Sequence, residues 1–307
     1  MKTSVVISTY NGEKYIIKQL ESLRKQERPI DEVLIFDDCS SDTTVQLIQN
    51  FISQYHLEGW KVQVNERNKG WRKNFIDGIG QATGDLVFPC DQDDFWHSDK
   101  IAKMADLMEK NPQIKVLASD YREVFDDGST RIGSFKPDNK LKKIDLYTNY
   151  MLNKLPGCTY CVRKEIAVAS NKYWREGYPH DALLWRLGLF SDALYVYTKP
   201  LIDWRKHNTS AFARESKEMK TKANKYQWIV TAQQMNSTML KFVEDYPTVK
   251  SNKMKKLLKK TAYYLSLRKK LYNSNNPIYG VRLARYWNLY PRYRQYLADW
   301  YLVYVKK

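Results

Sequence analysis

Leu86-Val87-Phe88-Pro89-Cys90-Asp91-Gln92-Asp93-Asp94-Phe95-Trp96 is the stretch on which the reading of this 307-residue chain turns. It is an apolar run of strand length that ends in three carboxylates. A strand with such an end projects its acids into the cleft at the carboxyl edge of a sheet, where open α/β folds bind ligands. Hard carboxylate oxygens suit Mg²⁺ or Mn²⁺, and those ions usually complete their shells with phosphate oxygens of a bound molecule. A D-x-D alone also reads as a solvated acidic turn, so its surroundings must decide.

Upstream, residues 4–7 read as a short buried strand, Thr9-Tyr10-Asn11-Gly12 as a turn and residues 13–26 as a helix. A second strand at 33–36 ends in Asp37-Asp38-Cys39-Ser40-Ser41-Asp42, and the helix at 43–54 has a good capping start. A third strand at 62–64 and a helix at 72–79 lead back to Leu86. This β-α-β-α rhythm, with a polar loop after each strand, predicts a mostly parallel, Rossmann-like sheet flanked by helices, with its site at the strand ends. Downstream come a helix at 100–110 stopped by Asn111-Pro112, strands near 115–118 and 122–125, a hairpin-type turn at Asp126-Asp127-Gly128, a helix near 181–189 and a strand near 194–197.

From about Arg214 the pattern is helical, broken at Pro247, Pro277 and Pro291. Met254, Leu257, Leu258, Ala262, Leu265 and Leu271 form an apolar stripe with lysines and arginines between them. Of the formal charge of +17, nearly all lies here: residues 214–307 hold 21 Lys and Arg against 5 Asp and Glu, and residues 1–213 are near neutral. A catalytic-looking body at 1–213 is thus followed by a basic, aromatic-rich helical region at 214–307. Such a region reads either as a membrane-surface element or as helices packed on the body with a solvated basic face.

The whole chain bounds the function further. A hydrophobic content of 43% supports a real core. Four cysteines, at 39, 90, 158 and 161, fit reduced thiols, and Cys158-x-x-Cys161 has no second pair to complete a zinc site. The first ten residues lack the apolar core of a signal peptide, and no stretch approaches the roughly 20 apolar residues that span a bilayer. The expectation is a soluble or peripheral cytoplasmic protein. Basicity alone suggests nucleic acid, but that partner leaves the strand-end aspartates unexplained, because carboxylates repel phosphate unless a metal intervenes.

Taken in order, these motifs resemble the family-2 glycosyltransferases of the GT-A fold, and within them the bacterial rhamnosyltransferase-like group. The resemblance spans about residues 3–213. Val5-Val6-Ile7-Ser8-Thr9-Tyr10-Asn11-Gly12 matches the first strand and nucleotide turn, Phe36 to Asp42 the second, and Asp91-Gln92-Asp93-Asp94-Phe95-Trp96 with Asp99-Lys100 the metal motif.

The resemblance implies roles for individual residues. Asp38 would accept from the pyrimidine N–H beside the turn Ser8, Thr9, Tyr10 and Asn11, while Asp37 or Asp42 could instead cap a helix. Asp93 would hold the divalent ion on the diphosphate, with Asp91 close to the ribose or the metal. Lys69 or Arg72, in Asn68-Lys69-Gly70-Trp71-Arg72, could pair with phosphate. Arg205 or His207, after Trp204, could stabilise the leaving group; the family's Tyr is Trp here, and no glycine closely follows His207. Trp96, Gly157, Cys158 and His180 would line the sugar and acceptor pocket. Asp181, opening a helix, sits where the family carries its catalytic base, and a plain helix cap is the competing reading.

The function implied is an inverting, Mn²⁺- or Mg²⁺-dependent transfer from a nucleotide sugar to a lipid-linked cell-surface glycan precursor, at the inner face of the cell membrane. The favoured donor is dTDP-L-rhamnose, and a UDP-hexose is the alternative. Anionic membrane is an expected partner and nucleic acid is not; oligomeric state stays open.

Overall fold

Thr3–Thr9 (β1), Glu32–Asp37 (β2), Trp60–Val64 (β3) and Leu86–Asp91 (β4) pair in parallel in the order β3-β2-β1-β4. The computed structural model describes residues 1–206 and 221–306. Along β1 every residue but Ser8 is buried, as expected of a parallel strand covered by helices on both faces. Those helices are α1 (Ile16–Arg24), α2 (Thr44–Gln54) and α3 (Trp71–Gln81). Ile16, Leu20 and Leu23 of α1 are buried at i, i+4, i+7. α3 lies so close to the sheet that a Cβ on Gly78 would stand 2.6 Å from Val6 and 2.7 Å from Phe36.

Beyond β4 the sheet is mixed. Phe95–Trp96 (β5), Lys100–Lys110 (α4), Val116–Phe125 (β6), Thr130–Ile132 (β7), Leu141–Lys143 (β8), Tyr160–Arg163 (β9), Lys164–Tyr173 (α5), His180–Phe190 (α6) and Leu194–Lys206 (β10) follow in the chain. The full strand path is β3-β2-β1-β4-β9-β6-β10-β5, with β9 antiparallel to both β4 and β6 and β10 parallel to β6. The parallel character expected from the β-α rhythm therefore holds for the first four strands. The strands expected at 115–118 and 122–125 are one strand, because Ser119 and Asp120 between them are fully buried. Asp120 accepts from the N–H groups of Ser134 (3.1 Å) and Phe135 (3.0 Å), which resolves the polarity that reads as a break.

The contacts divide the chain into two compact units, one of residues 1–144, 154–189 and 193–206, the other of 145–153, 190–192 and the described residues from 221 on. The expected boundary at 213/214 falls outside the described residues. The second unit contains Lys222–Asp245 (α7), Ser251–Ser274 (α8), Pro277–Leu283 (α9), a 3₁₀ turn at Ala284–Leu289, Arg294–Trp300 (α10) and a wider turn at Tyr301–Val305. Pro247, Pro277 and Pro291 fall at or between these elements, since proline cannot continue a helix. Its core joins Ile229, Leu265, Leu271, Leu283 and Leu289 with Tyr264 and Tyr290. The expected stripe on α8 holds except at Ala262, which is exposed; Tyr264, Leu267 and Arg268 are buried instead.

Candidate active site

β1 lies between β2 and β4, and the register sets Ser8 beside Asp91 and Thr9 beside Asp37. Three strand ends thus deliver the turn Ser8-Thr9-Tyr10-Asn11, the pair Asp37-Asp38 and the acidic cluster to one edge. Gln92 ties two of them together. Its Oε1 accepts from the Tyr10 N–H (2.9 Å) and its Nε2 donates to the Tyr10 carbonyl (3.1 Å). Nothing in the motif's sequence singles out this amide among the acids.

The second loop is laced to the first. Asn11 donates its N–H to Ser40 Oγ (2.9 Å) and accepts at Oδ1 from the Ser41 N–H (2.9 Å). Asp37 accepts from Thr9 Oγ1 (2.8 Å) and from the Ser40 N–H (2.8 Å), and Asp42 accepts from the Thr44 N–H at the start of α2 (3.0 Å), so both shape the chain locally. Asp38, 2% exposed, accepts at Oδ1 from Asn65 Nδ2 (2.9 Å) and the Lys69 N–H (2.8 Å), and at Oδ2 from the Gly70 N–H (2.8 Å). A carboxylate has about four acceptor sites; two are taken by the 69–70 loop and one by Asn65, so among the described residues one on Oδ2 stays open to a ligand.

The acidic cluster is crowded with like charge. Burial, and then the neighbouring Asp93 charge, push the Asp91 carboxyl up to about 7; the Cys158 thiol pulls it back, and Asp181 adds to the rise. Burial and the charges of Asp93 and Asp91 hold Asp94 well above the usual carboxylate range. Asp94 is 2% exposed; its Oδ1 accepts from the Arg205 N–H (3.1 Å), and Arg205 Nε donates to the Asp93 carbonyl (3.1 Å). Behind the cluster lies Lys100, fully buried, its Nζ 4.6 Å from the Trp96 ring centroid and pushed down by burial to about 8.

Asp91, Asp94 and Cys158 each offer a ligand atom, all within 4.8 Å of one another, and Asp94 Oδ2 is buried with no hydrogen-bond partner among the described residues. Paired carboxylates of this kind fit a hard divalent cation. Cys158 adds little to such a site, because burial and the adjoining carboxylates push its thiol far up. Asp93 stands outside that triple, partly exposed, and its charge acts on both other acids.

The far wall comes from distant sequence. Gly157-Cys158-Thr159 forms a buried 3₁₀ turn against the start of α6: a Cβ on Gly157 would lie 2.7 Å from Asp181 Cβ and 2.8 Å from His180 Nε2. Only glycine lets that turn approach. Asp181 occupies the first turn of α6, where the helix dipole favours a carboxylate, and its Oδ1 accepts from the Ala182 N–H (2.6 Å).

Two of the residues expected in the sugar and acceptor pocket, Trp96 and His180, are buried, and Lys69 and Arg72, expected at phosphate, have protein contacts of their own. Trp96 is 1% exposed and packs on Phe88, a core residue because β5 turns its indole under the sheet. His180 is 4% exposed, stacked 3.9 Å from Phe75, and burial followed by the Arg72 charge pushes it down to about 3, so it packs as a neutral ring. Lys69 Nζ donates to Asn65 Oδ1 (3.1 Å), and the Arg72 guanidinium lies 4.4 Å over the Trp71 ring. His207 lies outside the described residues.

A family profile described as glycosyl transferase family 2 matches residues 4–167. The chain is similar to poly(ribitol-phosphate) beta-N-acetylglucosaminyltransferase TarS of Staphylococcus aureus, 34% identical over 113 residues, which are 36% of this chain and 19% of the relative. It thus spans about a fifth of that curated relative's length. dTDP-rhamnosyl transferase RfbG of Shigella flexneri is 26% identical over 216 residues, 66% of this chain and 72% of the relative. Among solved structures, residues 1–349 of S. aureus TarS in complex with UDP-GlcNAc superpose with a TM-score of 0.63 at 21% identity, over 99% of this chain and 81% of that one. Mannosyltransferase PcManGT from Pyrobaculum calidifontis, in complex with GDP-Man and Mn²⁺, gives 0.53 at 17% identity, over 100% and 88%.

Proposed function

The chain belongs to glycosyl transferase family 2, and from that premise we propose that it transfers a sugar from a nucleotide donor to an acceptor hydroxyl with inversion at the anomeric carbon. One observation carries the reading: Asp91, Asp93 and Asp181 converge, from a strand end and a helix start about ninety residues apart, beside the loops that hold the nucleotide turn. Like charges crowd together in a folded protein where a cation or a reaction requires them.

Asp91 and Asp93 would hold the divalent ion, because both are partly exposed, whereas Asp94 is sealed beneath them and spends Oδ1 on Arg205. The ion, when bound, neutralises charge on the departing diphosphate. The Ser8–Asn11 turn, held by Gln92 and by Ser40 and Ser41, would seat the nucleoside, and Asp38 would complete the base pocket through the loop at Lys69 and Gly70. The acceptor oxygen bonds to the anomeric carbon as the bond to the diphosphate oxygen breaks, the electron pair leaves with the nucleoside diphosphate, and Asp181 takes the hydroxyl proton. Arg205, fixed to the Asp93 carbonyl, would face the leaving group.

dTDP-L-rhamnose is the favoured donor, supported by the match to RfbG over 66% of this chain. The solved TarS complex with UDP-GlcNAc supports a UDP-sugar as the second reading. A lipid-linked glycan precursor is the proposed acceptor, met at the cytoplasmic membrane surface; no described helix is long and apolar enough to cross a membrane. The test is slow donor hydrolysis and ligand-induced thermal stabilisation over a panel of nucleotide sugars with Mn²⁺, with Mg²⁺ and in EDTA. Stabilisation by dTDP-rhamnose alone supports the first reading and stabilisation by a UDP-sugar the second; metal-independent turnover excludes both forms of the mechanism.

A further inference from the structure

From Tyr246 to Lys307 the chain carries fifteen lysines and arginines and a single acid, Asp299. Asp299 is 1% exposed, held by Arg268 Nε and Nη2 (both 2.8 Å) and by the hydroxyls of Tyr272 (2.8 Å) and Tyr290 (2.9 Å). The described surface of this stretch therefore presents cations and no carboxylate.

That surface is also apolar. Val281 (63% exposed), Trp287 (61%), Tyr293 (64%) and Leu297 (65%) stand in water in the free protein. On α9, Ile278, Val281 and Arg282 lie opposite buried Gly280, the face that packs on Trp300, so they look away from α10. On α10 and the turn after it, Tyr293, Leu297, Tyr301 and Tyr304 recur every three or four residues on the face opposite buried Asp299. Exposed apolar residues scattered singly are ordinary, but Tyr293, Leu297, Tyr301 and Tyr304 line up on one helical face beside Arg292 and Arg294, and such a set rimmed by charge marks an interaction surface. An open cavity of about 520 Å³ lies in the same stretch, lined by Asn149, Trp287, Arg292, Tyr293 and Arg294 among others.

We propose that residues 287–305 form a docking surface for the anionic face of a phospholipid bilayer, with the cavity taking a lipid phosphate headgroup through Arg292 and Arg294. Guanidinium groups meet phosphate oxygens in a bidentate fork. Trp and Tyr rings favour the headgroup level of a membrane, where one edge is apolar and the other wet. Exposed Leu297 and Val305 decide against nucleic acid, whose phosphate backbone offers nothing to aliphatic side chains. The inference rests on the reading of the chain as an enzyme of the membrane surface, and goes beyond it by placing the contact on the terminal segment, away from the lysine-rich face of α8.

The full-length chain, sedimented with phosphatidylcholine vesicles with and without phosphatidylglycerol, is expected to bind only the anionic ones, and less as salt rises. Arg292→Glu with Arg294→Glu should weaken that binding at least about tenfold, as loss of cations at an anionic surface implies, with an unchanged thermal melt. Should the reversal unfold the segment, Arg292→Gln with Arg294→Gln is the gentler form, and Trp287→Phe should reduce the blue shift of tryptophan emission on vesicle binding. If both arginine variants bind as wild type while charge reversal at Lys255, Lys256, Lys259 and Lys260 releases the protein, the site is wrong and the membrane reading stands. If wild type ignores anionic vesicles altogether, both fail. Tighter binding to a single-stranded oligonucleotide than to vesicles at the same salt overturns the choice of partner, and binding of glycerol phosphate without vesicle binding overturns the lipid.

Discussion

Asp93 and Asp94 are adjacent in sequence and opposite in circumstance, one partly exposed and one sealed. Asp93→Asn should abolish metal-dependent transfer and weaken donor binding with the melt unchanged. Asp94→Asn should instead lower the melting temperature, since Asp94 anchors the Arg205 main chain; the reverse pattern would assign the ion to Asp94 rather than Asp93. Asp181→Asn should lower turnover about 10²-fold or more at nearly constant donor affinity, the usual contribution of a general base. A collapse of donor affinity with turnover preserved would make Asp181 a binding residue. His180 supplies a pH dependence. Its folded value, near 3, lies below the ordinary 6.5, so the unfolded chain binds a proton that the folded chain refuses. Stability is therefore whole above pH 6.5 and falls as pH drops toward 3, at up to about 1.4 kcal/mol per pH unit. Urea titrations of His180→Phe at pH 7, 5 and 4 should show a shallower acid decline than wild type, and an identical decline would assign it to other groups.

At the scale of elements, the site depends on short pieces docked onto long ones. β4 and α6 meet only because the Gly157 turn closes on the first turn of α6, an approach visible in no local pattern. β9 and α5, which carry the chain on from that turn, have no boundary in the sequence, because four residues of strand and a ten-residue helix follow it without a break. In the second unit, α8 and α10 are locked by the buried pair Arg268–Asp299. Asp299→Ala leaves a buried guanidinium uncompensated and should cost about 3–5 kcal/mol. Arg268→Met combined with Asp299→Leu should recover part of that loss, because a buried ion pair exchanged for apolar volume is often neutral, while the Tyr272 and Tyr290 hydroxyls still lose their acceptor. Denaturant unfolding followed by tryptophan fluorescence reads the unit, since Trp228 lies 5.4 Å from the Arg268 guanidinium. If the double variant is as unstable as the single one, the tyrosine hydroxyls rather than the uncompensated guanidinium set the loss.

For the whole molecule, two compact units predict two unfolding transitions rather than one. The proposed site lies wholly in the first. A nucleotide-sugar donor with Mn²⁺ at about a hundred times its Kd should stabilise that transition by about 2.7 kcal/mol and leave the other in place. Calorimetry showing both transitions rising together would mean that the units unfold as one, and neither rising would remove the site from the first unit. The charge asymmetry also belongs to this scale: residues 1–213 are near neutral, and residues 214–307 carry nearly all of the net charge.

Much of this was legible in the residues alone. Val5-Val6-Ile7, Val33 to Phe36 and Leu86 to Phe88 are continuous apolar runs ended by polar turns, and a strand buried on both faces has no other way to be written. The same runs place Ser8, Asp38 and Asp91 at one edge, since parallel strands joined by helices all end on the same side. Prolines at 247, 277 and 291 marked the helix ends, because a missing N–H is a local fact. Proximity between distant segments was not legible. Whether Trp96 and His180 face a pocket or the core, how Gln92 brackets Tyr10, and why Asp94 and Lys100 lie buried beneath the acids all depend on what packs against them from far along the chain. Burial, charge and hydrogen bonding at a site are properties of neighbours, and neighbours separated by tens of residues are chosen only when the chain folds.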